Sequence, residues 1–428
     1  MSSQAVTRRN FLGTTATASA ALAQSEAPNE PIEHARKVAL DMLRPSQRDL
    51  DHGLELHANS IVFDAYAAGP QAAIDGDAMR KAMEAGASEI ELHDMNEDMF
   101  MTRAAVDPVE RAEFLQAWKA SGVTCVFQVC GEEGSDPLVL LKRLARFTYL
   151  NDSIRDILRR AVFPDDVRQA KRDGVGCLYF GGNGVPLTQA WVSVEDELRY
   201  VRVFHQLGIR MMHVTYNRRN RLGDGCAEPA NGGLSDFGRA AVAELNRVGV
   251  IVDVSHSGWQ TSLEAAQRSS KPMIASHSTC GALYEHIRSK PDNVIRAIAD
   301  TGGYIGICCI PRFLRHGGGI TALLDHIDHV VKKFGPDHAA IGTDVAYQSR
   351  NAARERAKLP EQPKRRTRWA ALWPPDNFKT TDRMKQSMAW TNWPLFTVGL
   401  VQRGHSDAVI QKIIGHNVLR VLEANRVS

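Results

Sequence analysis

Two apolar runs, Val250-Ile-Val-Asp-Val-Ser-His256 and Met273-Ile-Ala-Ser-His277, end in the same Ser-His-Ser signature a short segment apart. Each reads as a buried strand with a histidine at its C-terminal lip. Between them, Gly258 to Ser270 carries Trp259, Leu263 and Ala266 at helical spacing, which makes the unit strand, helix, strand with the two strands parallel. Parallel strands joined by a crossover open onto the same end of a sheet, so both imidazoles face one side. That side is where α/β folds place chemistry, and imidazole is the commonest side-chain metal ligand. Two histidines satisfied inside a core are the plainer alternative; their matched positions at two strand ends favour a site.

The same alternation extends in both directions. Apolar runs at 60–64, 122–129, 175–180 and 209–216 precede the histidine strands, and runs at 303–309 and 338–344 follow them. Helical periods lie between: Pro137 to Val167 with Leu138, Leu141, Leu144 and Phe147 on one face, Val192 to Leu207, and Ser235 to Val248 closed by Gly249. Eight strands alternating with helices is the count for a closed (β/α)8 TIM barrel, and 428 residues with 43% hydrophobic content accommodate one such barrel with insertions. The Gly/Ala/acid-rich stretch from about Gly69 through Ala105 reads as a loop or excursion over the barrel. The dense basic run from Ala352 to Arg368, with Pro360 and Pro363, reads as an exposed, mobile loop. The tail after Lys385 supplies two helices that close the outer ring.

The first residues hold Thr7-Arg8-Arg9-Asn10-Phe11-Leu12, an uncharged stretch, and Ala21-Leu22-Ala23. This order reads as a twin-arginine export signal with an Ala-x-Ala cleavage site, so the expected location is periplasmic or secreted. The expected division is a signal over 1–23, a linker and N-terminal helix over 24–58, and the barrel with its C-terminal helices over 59–428. Cleavage removes two arginines and no acid, and the formal charge falls from +3 to +1. Neither value suggests nucleic acid or an anionic membrane as partner, and no later run is long enough to span a bilayer. The seven cysteines include no C-x-x-C and mostly sit in or beside predicted strands, where they read as small core residues.

At the strand ends the barrel offers Asp64, Tyr66 and Ala68 after the first strand, Phe180 after the third and Tyr216 after the fourth. His256 and His277 stand at the fifth and sixth, and Asp344 follows the eighth. Two histidines and an aspartate from such strands form a recurrent metallohydrolase layout, with two neutral ligands and a carboxylate able to move a proton. Arg288, in Glu285-His-Ile-Arg288, is placed to hold a carboxylate with two parallel hydrogen bonds. Its alternative is an ordinary loop ion pair.

With these residues in view the chain resembles the membrane (renal) dipeptidase family of zinc peptidases. The stretches that carry the likeness are Gly233-Leu-Ser-Asp-Phe-Gly238, Glu244 through His256, Pro272 through His277, Arg288 with Pro291-Asp292, Gly342-Thr-Asp344 and Gly415-His-Asn-Val-Leu-Arg420. The likeness runs from about Ser60 to the C-terminus and is specific in its second half. It implies a (β/α)8 barrel that hydrolyses dipeptides with two zinc ions bridged by a glutamate, often as a homodimer. It further implies that His256 and His277 are ligands of one zinc, that Arg288 receives the substrate carboxylate and that Asp344 is the acid/base residue. The first half departs from the pattern. Where the family has Asp-x-His-x-Asp this chain has Asp64-Ala-Tyr66-Ala-Ala68, Phe180 stands where a bridging glutamate precedes Gly-Gly, and Tyr216 replaces the histidine that polarises the scissile carbonyl.

Two functions follow. In one, a single zinc ion sits on His256 and His277, with Asp64 or Asp344 as third ligand, and activates a water, while Tyr216 donates a hydrogen bond to the developing oxyanion of a small peptide-like substrate with a free carboxylate. In the other, the chain holds no working metal and is an exported pseudoenzyme, a binding or maturation factor whose Arg288 still grips a carboxylate.

Overall fold

A computed structural model describes residues 28–131, 135–315, 317–361 and 371–427. The expected export signal and the later part of the basic run lie outside these residues. Eight strands form the barrel: β1 Phe63–Ala67, β2 Cys125–Val129, β3 Gly176–Gly182, β4 Ile209–His213, β5 Ile251–Asp253, β6 Ile274–Cys280, β7 Tyr304–Ile307 and β8 Ala339–Ile341. Each pairs in parallel with the next in this order. The ring is drawn together just beyond β8, where Asp344 N–H donates to Tyr66 O at 2.9 Å and 346–348 pairs in parallel with 69–71. The expected (β/α)8 architecture is therefore present, with each strand overlapping the run read from the sequence and the first displaced from 60–64 to Phe63–Ala67.

The barrel interior and the layer between strands and helices are separate cores. Inside, Phe63, Phe127 and Tyr179 pack with ring centroids 5.4–5.9 Å apart and plug the end away from the site. Outside, Val126, Phe180, Met212, Val252 and Ala275 face the helices. This alternation follows from the two-residue period of a strand and decides which strand-end residues can reach the site.

Three expectations change. The stretch through Ala105 is helical, over Gly76–Glu84 and Glu89–Val106. The starts were legible as Asp75, whose carboxylate accepts two backbone N–H groups, and as the Ser88/Glu91 capping box. The segment from Pro137 is three elements, a helix over Pro137–Ser153, a short strand over Leu158–Arg160 paired to β3, and a helix over Pro164–Asp173. Its buried face is Leu140, Leu144, Phe147 and Leu150, whereas Leu138 and Leu141 are exposed, because the stripe follows i, i+4, i+7 from Leu140. The basic run begins with a short helix, Ala352–Arg356, whose Glu355 is buried and accepts the Gly76 N–H.

Candidate functional site

Asp253 organises the mouth of the barrel. It is fully buried on the inward face of β5, and its Oδ1 accepts the Ser255 N–H at 2.9 Å, the Ser255 hydroxyl at 2.8 Å and the Ser276 N–H at 3.1 Å. Ser276 Oγ donates to the other carboxylate oxygen, and the His277 N–H donates to Ser255 Oγ at 2.9 Å. The serines of the paired Ser-His signature thus stitch β5 to β6 through one carboxylate and set the height of both imidazoles.

His256 and His277 are buried side by side with their Nε2 atoms 2.9 Å apart. Their Nδ1 atoms are occupied, His256 by Asn217 Oδ1 at 2.7 Å and His277 by Ser276 Oγ at 2.8 Å. Asn217 Oδ1 can only accept, and Ser276 spends its hydrogen on Asp253, so each Nδ1 carries the proton and each Nε2 presents a lone pair. Two lone pairs at that separation repel unless a cation lies at them. Burial first, and the charge of Arg288 second, hold both imidazoles well below the usual histidine range, in the neutral form that binds metals.

A third imidazole completes the group. His213, at the end of β4, is fully buried, and its Nε2 lies 2.7 Å from Asp253 Oδ2, outside hydrogen-bonding alignment; among the described residues neither ring nitrogen has a hydrogen-bond partner. The ring centroids of His213, His256 and His277 are 5.0–5.4 Å from one another. Imidazoles converging on one tetrahedral ion at the usual Zn–N length hold their centres roughly 5 Å apart, so the trio fits one such ion. His213, Asp253 and His277 also bring ligand atoms within 4.8 Å of one another. Two tyrosines wall the group, Tyr66 stacked on His277 at 3.9 Å and Tyr216 on His256 at 4.1 Å, and the Tyr66 hydroxyl donates to Asn183 Oδ1.

Arg288 is buried against this cluster. Its Nη2 donates to His277 O at 2.8 Å and its Nε to Ser255 O at 3.4 Å, and its guanidinium lies under the rings of Phe313 and Trp373, 5.3 and 5.9 Å from their centroids. Its Nη1 is buried without a hydrogen-bond partner among the described residues, which leaves a fixed donor for a ligand carboxylate. Asp344, half-buried past β8, has a left-handed φ of 57°, and desolvation raises its carboxyl to about 6 against the opposing charges of Arg288, His213 and Arg312. A carboxyl poised there can give and take a proton near neutral pH.

Of the residues expected at the site, His256, His277, Tyr216, Arg288 and Asp344 come together, whereas Asp64 does not. Its carboxylate leaves the barrel interior and accepts from Thr343 N–H at 2.9 Å, Thr343 Oγ1 at 2.6 Å, Trp393 Nε1 at 3.1 Å and Trp390 Nε1 at 3.2 Å. That saturation ties β1 to the tail and leaves no donor for a metal. Phe180 also faces outward, 6.3 Å from Phe147 and beneath Arg160. His213 and Asp253 were missed, although both were visible as polar residues at inward positions of otherwise apolar strands.

The sequence model described as membrane dipeptidase (peptidase family M19) matches residues 55–353. Among curated proteins, dipeptidase tcpJ of Claviceps purpurea is 28% identical over 62% of this chain and 55% of its own length. Dipeptidase verJ of Clonostachys rogersoniana is 29% identical over 52% and 50%. The matched region thus spans about half the length of these relatives. Among solved structures, an amidohydrolase from Pseudomonas aeruginosa superposes with a TM-score of 0.62 at 26% identity, covering 87% of this chain and 98% of that one. The probable dipeptidase PvdM of the same species, at 19% identity and TM-score 0.61, covers 89% and 98% and shares the fold.

Proposed function

The chain belongs to the membrane dipeptidase family of metallopeptidases, peptidase family M19, and on that premise we propose that it hydrolyses one amide bond of a small dipeptide-like substrate at the barrel mouth, using a single zinc ion. His213, His256 and His277 would hold the ion, with the Asp253 carboxylate beside His213 as the nearby negative charge. A zinc ion in this place supplies a water activated at neutral pH. The protein's own groups do the rest. Arg288 Nη1 receives the free carboxylate of the leaving amino acid, Asp344 carries a proton to the departing nitrogen, and the Tyr66 and Tyr216 rings exclude solvent from the histidines. We further propose that the chain is exported by the twin-arginine route read from Arg8 and Arg9.

The observation that carries the metal is the convergence of three imidazoles, one of them with neither ring nitrogen hydrogen-bonded among the described residues, at the end where β4, β5 and β6 open. The test is metal content. Purified protein is expected to hold about one zinc per chain, His213→Ala to lose it, and Asp64→Asn to keep it while losing stability; retention of zinc by His213→Ala would remove His213 from the site. A second reading, a carboxylate-binding protein without catalysis, is favoured by Tyr66 and Ala68 at positions where the family resemblance implies ligands. Zinc-free protein that still binds N-blocked amino acids through Arg288, with no hydrolysis after zinc is added, would establish that reading instead.

A further inference from the structure

Next to Tyr216, which stacks on His256, lies a cavity of about 340 Å³ bordered by Tyr216, Asn183, Arg218, Arg219 and Arg221. Its lining holds three guanidinium groups and, among the described residues, no carboxylate. Arg219 is neutralised from behind by Asp224, which it grips with Nε and Nη2. Arg218 is not so matched: it donates to the carbonyls of Ala227 and Ala371 at 2.9 and 3.1 Å, and Glu228 stands 4.0 Å away. Among the described residues Arg221 has neutral partners, Gln189 Oε1 at 3.2 Å and the Trp191 ring at 4.3 Å. The cavity is therefore net positive.

Its position relates it to the substrate. Tyr216 forms one wall of the cavity and stacks on His256, His256 meets Trp373 edge-on at 6.4 Å, and Trp373 covers Arg288. Leu372, the neighbour of Trp373, borders the same cavity. A ligand with its carboxylate on Arg288 and its amide over the histidines would extend its acyl side past Tyr216 and into the arginines. A free dipeptide would bring an α-ammonium group there. Among the described residues the lining offers that group no carboxylate, and Asp253 is saturated by its own donors.

We propose that the preferred substrate is anionic on the acyl side, an N-(carboxyacyl) amino acid and not a free dipeptide. This rests on the reading that Arg288 receives the carboxylate of the leaving amino acid. Like-charge repulsion disfavours the ammonium, while Arg218 and Arg221 supply forked donors for a second carboxylate.

The test uses three alanine derivatives of nearly equal size, succinyl-, butyryl- and β-alanyl-alanine, in L and D forms, which differ in acyl-side charge. With zinc-loaded protein, kcat/KM is expected to fall in that order, by about three- to tenfold per step. Arg218→Gln with Arg221→Gln should collapse the succinyl-to-butyryl ratio, mainly through KM. Equal or better turnover of β-alanyl-alanine, or a preference that survives both substitutions, overturns the proposal. Calorimetric binding of the same three compounds separates this question from catalysis: tightest binding of the succinyl compound upholds the charge selection even if nothing is cleaved, and equal or undetectable binding of all three refutes it.

Discussion

At the residue scale the chemistry rests on groups whose charge state burial controls. Asp344 is raised from 3.8 to about 6, so it holds its proton more firmly folded than unfolded. Its contribution to stability is greatest below its unfolded value and is lost as pH rises through 6, and the ionised form at neutral pH costs about 1 to 3 kcal/mol. Asp344→Asn is therefore expected to unfold at higher denaturant than wild type at pH 7.5, with the difference shrinking toward pH 4, while hydrolysis is abolished. A variant with unchanged pH dependence would show that the carboxyl is not desolvated. Arg288 makes the complementary prediction. Arg288→Ala should weaken binding of an N-blocked amino acid by about 2 to 4 kcal/mol, read by calorimetry, because it removes a desolvated partner already held in place by the Ser255 and His277 carbonyls.

At the element scale, the strand period sorts neighbours that sequence alone treats alike. Asp64 and Phe180 turn toward the helices, where one caps the β1 to β8 seam and the other packs the outer layer. Asp64→Ala should cost about 2 to 4 kcal/mol in equilibrium unfolding, since it strands buried indole and hydroxyl donors of Trp390, Trp393 and Thr343, and should leave zinc content intact. A loss of metal with little loss of stability would reverse the assignment. Phe180→Glu would bury a carboxylate among Phe147 and its neighbours, so its expected result is destabilisation without a second metal. Strand packing is equally strict at Gly306, where a Cβ would overlap the Ser276 carbonyl; Gly306→Ala should separate β6 from β7 and lower the midpoint of thermal unfolding.

At the scale of the whole molecule, one barrel carries the site at the carboxyl ends of its strands, and no described helix is long and apolar enough to cross a membrane. Replacing Arg8 and Arg9 with lysine should retain the protein in the cytoplasm, and unchanged export would refute a twin-arginine signal. The sequence determined the strand count, the parallel order and the two Ser-His strand ends, because period and spacing are local properties of a chain. It also placed Arg288 and Asp344, whose positions follow directly from the strands that precede them. The tertiary structure alone decided which polar residues meet. His213 and Asp253 lie 40 residues apart in sequence and 2.7 Å apart in space, while Asp64, one of the first carboxylates met at a strand end, is turned away by its partners in the tail. The direction of a side chain at a strand end depends on barrel register and on the bulges that shift it, and these are fixed by contacts between distant strands.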